Sequence, residues 1–471
     1  MSRLQGAIAA TRFGMGAAPG EISAAASDPR GWLKAQVKPE SAIMPGGQLL
    51  SARQILQARQ RLRASNNEAD MRREVAQRAN QDGVEHMRDE VIARIRQASE
   101  TPNSFAERWV RFWANHFTVA VRAPVLAGLA GPYEREAIRP HVFGTFANLL
   151  RQATFHQGML IYLDAAESIG PSTVLGRRKN KGLNENLARE ILELHTLGVG
   201  AGYAQEDVIA FANALTGWTV GGLQPVVTRA ARASYRRRNK AQPQARDGAD
   251  MAGQVIFVDA LHEPGPRAVL GKQYQEGGRE QAPAILQDLA RHAATARHIA
   301  TKLARHFVAD QPPASAVTKL SDVFVRTGGN LADLARAVID LDEAWSPEQQ
   351  KFKTPEELVV SIARIAPGQP RYTGAIGKVY ASLTQLPFRA PSPAGWPDDA
   401  ASWAGPDAVK KRLDWVNAIS RGMARGASPG EMLDTALGEL ASSRTRQFVE
   451  RAESAEQGFT LALMAPEFQR R

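Results

Sequence analysis

The chain has 471 residues, of which 44% are hydrophobic and 23% are charged, and this balance excludes a disordered or collagen-like protein. It contains no cysteine, which excludes disulfides, zinc–thiolate sites, iron–sulfur clusters and cysteine nucleophiles, and it has no run of about 18 apolar residues that would predict a membrane-spanning helix. The formal net charge is +11, which favours an anionic partner.

The amino-terminal segment lacks the pattern of a signal peptide. Residues 1–10 carry one early charge, and Arg12, Phe13 and Gly14 follow before a sustained apolar core has formed. We therefore expect a helix of the folded body at this end of the chain and, by default, a cytoplasmic protein.

Helical patterns dominate the first 120 residues. Residues 51–98 are charged with sparse apolar positions, which predicts two exposed helices broken near residues 66–67 or 82–83. Ser104 with Glu107 three residues later has the spacing of a capping box and predicts the start of the next helix. Five aromatic side chains then fall on one buried stripe of that helix: Phe105, Trp109, Phe112, Trp113 and His116.

The rest of the chain continues the helical pattern. Strand signals are confined to residues 255–258 and 268–270, which predict one hairpin. Thr354, Pro355 and Glu357 form a strong helix start. The predicted fold is mainly α, a large multi-helix body with at most one small β-hairpin around 255–271, and the further helices are expected at residues 133–155, 159–166, 184–197, 205–215, 285–306, 331–339, 355–365 and 409–423.

A basic segment divides the sequence into two parts. Residues 221–246 contain no acidic residue and seven basic ones, namely Arg229, Arg232, Arg236, Arg237, Arg238, Lys240 and Arg246. This composition is typical of a solvated loop, and the alternative is a binding site for an anionic ligand such as nucleic acid, glycan or lipid. We expect an N-terminal helical lobe over 1–220, a basic flexible insertion over 221–254 and a C-terminal helical lobe over 255–471, in one continuous domain.

The predicted helix at 184–197 carries the clearest candidate chemistry. At 100° per residue, Asn186, Glu190 and Glu193 follow one another along one side of the helix. Two carboxylates and an amide on one face could bind a hard cation or perform acid–base chemistry. The alternative is that both carboxylates form ion pairs with Arg189 or with arginines of a neighbouring helix.

The histidines form no zinc-protease pair, because His262-Glu263 is followed by a proline-rich turn and not by a helix with a second histidine. His262 has the better odds of lying at a cleft, whereas His116 on the aromatic stripe is typical of a hydrogen-bonded core histidine. Phosphate-binding loops, dinucleotide-binding turns and serine-hydrolase elbows are absent from the sequence.

Several segments together resemble a bacterial family known as domain of unknown function 1800. They occur in the family's order across nearly the whole chain, at residues 10–14 (ATRFG), 112–117 (FWANHF), 159–164 (MLIYLD), 184–198, 202–208 (GYAQEDV), 216–218 (TGW), 262–265 (HEPG) with 270–271 (LG), and 395–397 (GWP). The resemblance implies a mostly helical single-domain body. It also implies a partner from domain of unknown function 1501, whose members resemble alkaline phosphatases and sulfatases. Many relatives look exported, whereas this sequence lacks such a signal.

The family motifs supply the candidate site residues. At matching motif positions stand Asn115, His116, Asp164, Asn184, Asn186, Arg189, Glu190, Glu193, Thr216, Trp218 and His262. The resemblance marks these positions for function, and their alternative role is to satisfy buried polar groups where helices meet.

Three functions remain open. The first is an accessory protein that forms a complex with the phosphatase- or sulfatase-like partner. The second is a hydrolase-type enzyme with one divalent metal ion, with Glu190, Glu193, His116 and His262 as catalytic candidates. Its metal ligands would be Asp164, Glu190, Glu193 and His262. The third is a polyanion-binding protein that uses the insertion at 221–246.

Overall fold

The computed structural model describes residues 3–45, 47–64, 69–179, 183–223, 251–366, 375–424 and 428–471. Helices dominate these ranges, so the mainly α class is confirmed. The seven basic residues of the predicted insertion lie outside the described residues, and the functional prediction attached to them stays a prediction. Among the described helices, none is both long enough and apolar enough to cross a bilayer.

The helices follow one another with short connections. The α-helices before residue 220 are Arg3–Ile8, Glu21–Ala25, Pro29–Lys34, Pro39–Ala42, Ala52–Ala64, Ala69–Glu100, Ser104–His116, Pro124–Ala127, Ala130–Tyr133, Phe146–Thr154, Gln157–Tyr162, Val174–Lys179, Asn186–Glu190 and Gln205–Leu215. Those after residue 280 are Gln281–Leu289, Ala293–Phe307, Ala314–Arg326, Leu331–Asp340, Pro355–Ile365, Ile376–Ser382, Ala400–Trp403, Pro406–Met423, Pro429–Leu437, Ser443–Glu450, Ala455–Met464 and Pro466–Gln469.

The described strands form two small antiparallel pairs. Strand β1 (Trp218–Val220) pairs with β2 (Val255–Phe257), and β3 (Arg267–Val269) pairs with β4 (Lys272–Tyr274). The expected pairing of 255–258 with 268–270 is therefore wrong. Leu270 and Gly271 both have positive φ, at 51° and 75°, which is the geometry of a two-residue hairpin turn and pairs β3 with the strand that follows it.

The two predicted capping boxes have different outcomes, because tertiary contacts replace one of them. Thr354 and Glu357 form the predicted capping box. Ser104 and Glu107 do not, because Asn103 is the N-cap residue and the Ser104 hydroxyl donates instead to Glu21. The Glu107 carboxylate forms ion pairs with two arginines, described below, and not a hydrogen bond with the backbone of the helix start.

The described helices of the long exposed stretch are Ala52–Ala64 and Ala69–Glu100. The break expected near residues 66–67 lies outside the described residues and stays a prediction. Gly83 does not break the second helix. A Cβ at this position would lie 3.5 Å from the Gly128 nitrogen, an ordinary van der Waals distance.

Two hydrophobic clusters make up most of the core. The larger one takes residues between Ile8 and Ala344 together with Ala390, and therefore from both sides of the predicted insertion. The other is built mainly from residues 358–468, with contributions from Met15 and the end of the Ala69–Glu100 helix. The division into lobes over 1–220 and 255–471 stays a prediction.

Among the described residues, three short segments adopt the rare π-helical conformation: Ala9–Phe13, Glu134–Ile138 and Ile191–His195. Such segments make up well under 1% of residues in soluble proteins and occur frequently at functional sites. All three lie close to the cavity described next. Glu134 lines it, Met15 lines it just after the first segment, and the His195 carbonyl oxygen lies 3.1 Å from Nε2 of the lining residue His116.

Candidate functional site

A central cavity of about 750 Å³ lies between the two hydrophobic clusters. Its walls come from the Ser104–His116 helix, the Ala293–Phe307 helix and the start of the Pro355–Ile365 helix. An irregular stretch at residues 385–401, which we call the covering segment, lies over it. A volume of this size accommodates a small organic molecule.

The covering segment is fixed to the helices beneath it by hydrogen bonds. The Asn115 side chain accepts from the Trp396 nitrogen at 2.7 Å and donates to the Trp396 oxygen at 2.9 Å. Gly395 has a φ of +87°, and a Cβ there would lie 2.5 Å from the Asn115 oxygen. The matched family motif at 395–397 is therefore the contact that closes the cavity over Asn115.

One side of the cavity is an arginine–carboxylate wall, which consists of Arg94, Arg108, Arg111, Glu134, Glu356 and Glu357. Every carboxylate in this wall is paired. Glu134 accepts from Arg94 at 2.7 Å, Glu356 pairs with Arg94 and Arg111, and Glu357 pairs with Arg108 and with Arg471. Its charges thus neutralise one another.

The wall continues into the core through Glu107, which is 1% exposed. Its carboxylate accepts from Arg139 at 2.8 and 2.9 Å and from Arg111 at 2.8 Å. Burial alone would raise the pKa of Glu107, but Arg139 and Arg111 lower it to about 2. Arg111 also pairs with Glu356, so the same network reaches the start of the Pro355–Ile365 helix.

The opposite side is an imidazole–lysine wall, which consists of His116, His298, Lys302 and His306. The last three recur every four residues along the Ala293–Phe307 helix and therefore share one face. Burial lowers the pKa of His298 to about 4 and that of His306 to about 4, so these imidazoles are neutral at pH 7.

Backbone carbonyls fix the tautomers of two imidazoles. His116 Nε2 lies 3.1 Å from the His195 oxygen, and His298 Nε2 lies 3.1 Å from the Leu194 oxygen. Because a carbonyl only accepts, each Nε2 carries the proton and each Nδ1 presents a lone pair. The Nδ1 of His116 is buried and has no hydrogen-bond partner among the described residues.

Lys302 differs from the arginines across the cavity. No hydrogen bond or ion pair joins its ammonium group to another described residue. Burial lowers the pKa of Lys302 to about 8, against the opposing attraction of Asp398. It is therefore mostly protonated at pH 7, as a cation without an ion-pair partner in the part of the chain that the structure describes.

His306 forms a dyad with Asp398 of the covering segment. Its Nδ1 lies 2.6 Å from Asp398 Oδ2, whereas its Nε2 is buried and has no partner in the described ranges. Burial opposes ionisation of Asp398, but the hydrogen bond from His306 and the charges of Lys351 and Arg471 lower the pKa of Asp398.

Two of the predicted site residues, Asn115 and His116, lie at this cavity. The others do not line it. Among the described residues, no group of three or more histidine, aspartate and glutamate side chains is arranged to hold a metal ion. Asp164, Glu190, Glu193 and His262 belong to no such group, and their assignment as metal ligands stays a prediction.

Glu193 pairs along its own helix rather than with a second ligand. Arg189 lies 3.0 Å from Glu185 and 3.7 Å from Glu193, which agrees with the ion-pair alternative for Glu193. Glu190 is half-buried, and burial together with the charge of Glu193 raises its pKa. The π-helical turn at Ile191–His195 also changes the rotation per residue, so the predicted face at 100° per residue does not hold beyond Glu190.

Thr216, Trp218 and His262 meet at a separate buried junction. Nδ1 of His262 lies 2.9 Å from the Thr216 oxygen, and the Thr216 hydroxyl accepts from the Glu263 nitrogen at 2.8 Å. Trp218 packs against the Phe155 ring with centroids 4.2 Å apart. These contacts anchor the β1–β2 pair.

Asp164, Asn184 and Asn186 border a shallow surface depression. Asp164 adopts a left-handed conformation with φ of 57°, and the Asn184 side chain accepts from the Asn186 nitrogen at 2.9 Å. Here the motif residues shape a turn and a helix start.

Sequence reasoning missed Lys302, His306 and Asp398. The spacing of His298, Lys302 and His306 indicates a polar stripe on the helix expected at 285–306. Asp398 lies 92 positions from His306 in an irregular segment without periodicity, so no local pattern could have joined them.

The comparisons with known proteins identify the family. The family model described as "Protein of unknown function (DUF1800)" matches residues 8–470. The chain therefore belongs to the DUF1800 family, in agreement with the motifs in its sequence. No curated protein and no solved structure gives a significant match to it.

Proposed function

We propose that this protein binds a small organic anion in the central cavity, with Lys302 as the counter-ion. The observation that carries the proposal is the difference between Lys302 and the charges around it. The lining carboxylates of the arginine–carboxylate wall are all paired within the protein, whereas the Lys302 ammonium has no such partner among the described residues.

The energetics favour a ligand with a carboxylate or phosphate group. The Lys302 side chain is half-buried and its charge has no ion-pair partner among the described residues, so an anion brought in by a ligand would supply the missing opposite charge. The lone pairs on His116 Nδ1 and His306 Nε2 would accept hydrogen bonds from hydroxyl or amide groups of the same ligand.

Thermal unfolding with phosphate, acetate, succinate and citrate at constant ionic strength tests the proposal. At about ten times its Kd, a bound anion adds about 1.4 kcal/mol to the free energy of unfolding, so Tm should rise for at least one of these probes. The rise should disappear in Lys302→Met and persist in Lys319→Met, since Lys319 pairs with Glu343 at the surface. Equal anion effects in wild type and Lys302→Met would contradict the proposal.

Two further functions are proposals of a different kind. The complex with a phosphatase- or sulfatase-like partner of domain of unknown function 1501 rests on the family resemblance, and a pull-down from native cells that recovers no stoichiometric partner would count against it. Binding of an anionic polymer at 221–246 predicts an affinity that falls steeply with salt and is lost when the segment is deleted.

A further inference from the structure

The cavity contains an oriented base next to the proposed anion site. His306 donates its Nδ1 proton to Asp398 Oδ2 over 2.6 Å, because an ionised carboxylate only accepts hydrogen bonds. The proton is therefore on Nδ1 and the lone pair is on Nε2. A histidine held in one tautomer by a carboxylate, with its other nitrogen unengaged, is the arrangement of a general base.

Asp398 is itself held in place. Lys351 donates to its backbone oxygen at 2.7 Å and lies 3.2 Å from its Oδ1, while Arg471 lies 3.6 Å from the same Oδ1. These contacts occupy one carboxylate oxygen and leave Oδ2 to His306. The Asp398 carboxylate therefore cannot rotate freely, and it fixes the orientation of the His306 imidazole.

A second histidine–carboxylate pair shows what a purely structural role looks like. His156 Nε2 lies 3.1 Å from Glu136, and its Nδ1 accepts from the Gly158 nitrogen at 3.0 Å. Both ring nitrogens are satisfied, as is usual for buried polar groups. His306 differs because its Nε2 is buried without any partner in the described ranges, in a wall of the cavity.

The ammonium group of Lys302 is the third group of this candidate site, beside His306 and Asp398. Lys302 precedes His306 by four residues on the same helix, so their Cβ atoms are about 5–6 Å apart and their side chains share one face. Both line the cavity. A carbonyl group between them would have its oxygen at a cation and its carbon within reach of a water bound to the base.

We infer that this cavity is a hydrolytic site for a small ester or related acyl compound, with His306 as general base, Asp398 as its positioning residue and Lys302 as the cation that holds the carbonyl oxygen. The inference rests on the proposed anion site, because Lys302 serves both the oxyanion formed during the reaction and the carboxylate product.

The reaction balances with water as its only co-reactant. His306 Nε2 takes a proton from water as the water oxygen forms a bond to the carbonyl carbon, and the C=O electron pair moves to the oxygen next to Lys302. Collapse of this intermediate breaks the bond to the leaving oxygen, which receives the proton from His306. The products are a carboxylic acid and an alcohol.

Alkylation with bromoacetate tests the geometry without any substitution. Its carboxylate is an anion for Lys302, and the Nε2 lone pair displaces bromide to form a carboxymethyl histidine. The chain has no cysteine, so no thiol competes. Peptide mapping should find His306 modified in wild type and much less modified in Lys302→Met. In both proteins His156 should stay unmodified, and the exposed His292 should be modified to the same extent. Failure to modify His306 in wild type that binds anions would overturn the inference.

Hydrolysis of 4-nitrophenyl acetate tests the chemistry. We expect the rate of wild type to exceed that of His306→Gln at least tenfold, and His292→Gln to match wild type. An equal rate in His306→Gln, or an acetyl group accumulating on Lys302, would refute a general-base role for His306.

The two proposals fail in different ways. If no anion raises Tm through Lys302, the proposed function is wrong. If anions bind through Lys302 but His306 is neither alkylated nor needed for hydrolysis, the binding function stands and only the hydrolytic site is wrong.

Discussion

Both walls of the central cavity carry charged and polar side chains, but the contacts of these side chains differ between the two walls. In the arginine–carboxylate wall, Glu134, Glu356 and Glu357 are each paired with arginines. In the imidazole–lysine wall, Lys302 has no ion-pair partner among the described residues, and His306 leaves its Nε2 unengaged. The charged groups of the first wall bind one another, whereas polar groups of the second wall face the cavity without a partner among the described residues.

This difference distinguishes the residues of the cavity that stabilise the fold from those that could bind a ligand. Removing one partner of a buried, fully paired charge is costly, because the other partner is left without compensation. Removing a charge that has no partner carries no such cost, and a ligand of opposite charge would bind there favourably. The predicted effects of substitution therefore have opposite signs on the two sides.

The largest effect is expected on the paired side. Glu107→Gln leaves Arg139 and Arg111 without the carboxylate that both of them bind, and breaking such a buried pair costs about 3–5 kcal/mol. Urea unfolding of both proteins measures the loss. The matched control is Glu343→Gln, which removes a more exposed pair with Lys319 and should cost about 1 kcal/mol or less.

Acid should weaken the same network. The pKa of Glu107 is about 2 in the folded protein and 4.5 for the unperturbed group, so its carboxylate stabilises the fold above pH 4.5 and this contribution is lost as pH falls from 4.5 to 2. The amount is on the order of 3 kcal/mol. Unfolding curves across this window should show wild type approaching Glu107→Gln, and a constant difference between them would contradict the assignment.

A smaller loss is expected for the contact that closes the cavity. Asn115→Ala removes two hydrogen bonds to Trp396, each worth about 1 kcal/mol. Amide hydrogen exchange should become faster at Gly395 and Trp396 and stay unchanged in the Ala455–Met464 helix. Unchanged protection of these two amides would mean that packing, and not Asn115, fixes the covering segment.

The smallest change in stability, of opposite sign, is expected for Lys302→Met. Removing a cation without a counter-ion should leave the free energy of unfolding at pH 7 unchanged or raise it by about 1 kcal/mol. Around Lys302, Asp398 favours and Arg305 opposes its charge, while His116, His195 and His298 are neutral because burial lowers the pKa of each.

The pH dependence of this difference gives a second measurement. The pKa of Lys302 is about 8 in the folded protein and 10.5 for the unperturbed amine. The unfolded chain therefore binds more protons between pH 8 and 10.5, and wild type should gain stability relative to Lys302→Met across that range. A loss of more than 2 kcal/mol in Lys302→Met at pH 7 would show that Lys302 has a structural partner.

The parts of the fold that follow local rules could be predicted. The aromatic stripe from Phe105 to His116 is buried as expected, and Thr354 begins its helix through a capping box. The same rule failed at Ser104, because Glu107 meets Arg139, which lies 32 positions further along the chain. A local hydrogen bond cannot compete with two buried guanidinium groups.

The candidate site could be predicted only in part. Asn115 and His116 carry a family motif and do lie at the cavity. Glu190, Glu193 and His262 carry motifs too, but their contacts place them on a helix surface and at a buried junction. Motif membership thus marked residues that matter for the fold as well as residues at the cavity.

The sequence by itself determined the helical class, the family, the aromatic core helix and the absence of any thiol chemistry, because composition and periodicity are local properties. Only the tertiary structure decided which charges are paired and which face the cavity. Asp398 meets His306 and Glu107 meets Arg139 across many intervening residues, and the strength of an electrostatic contact depends on distance and burial in space rather than on separation along the chain.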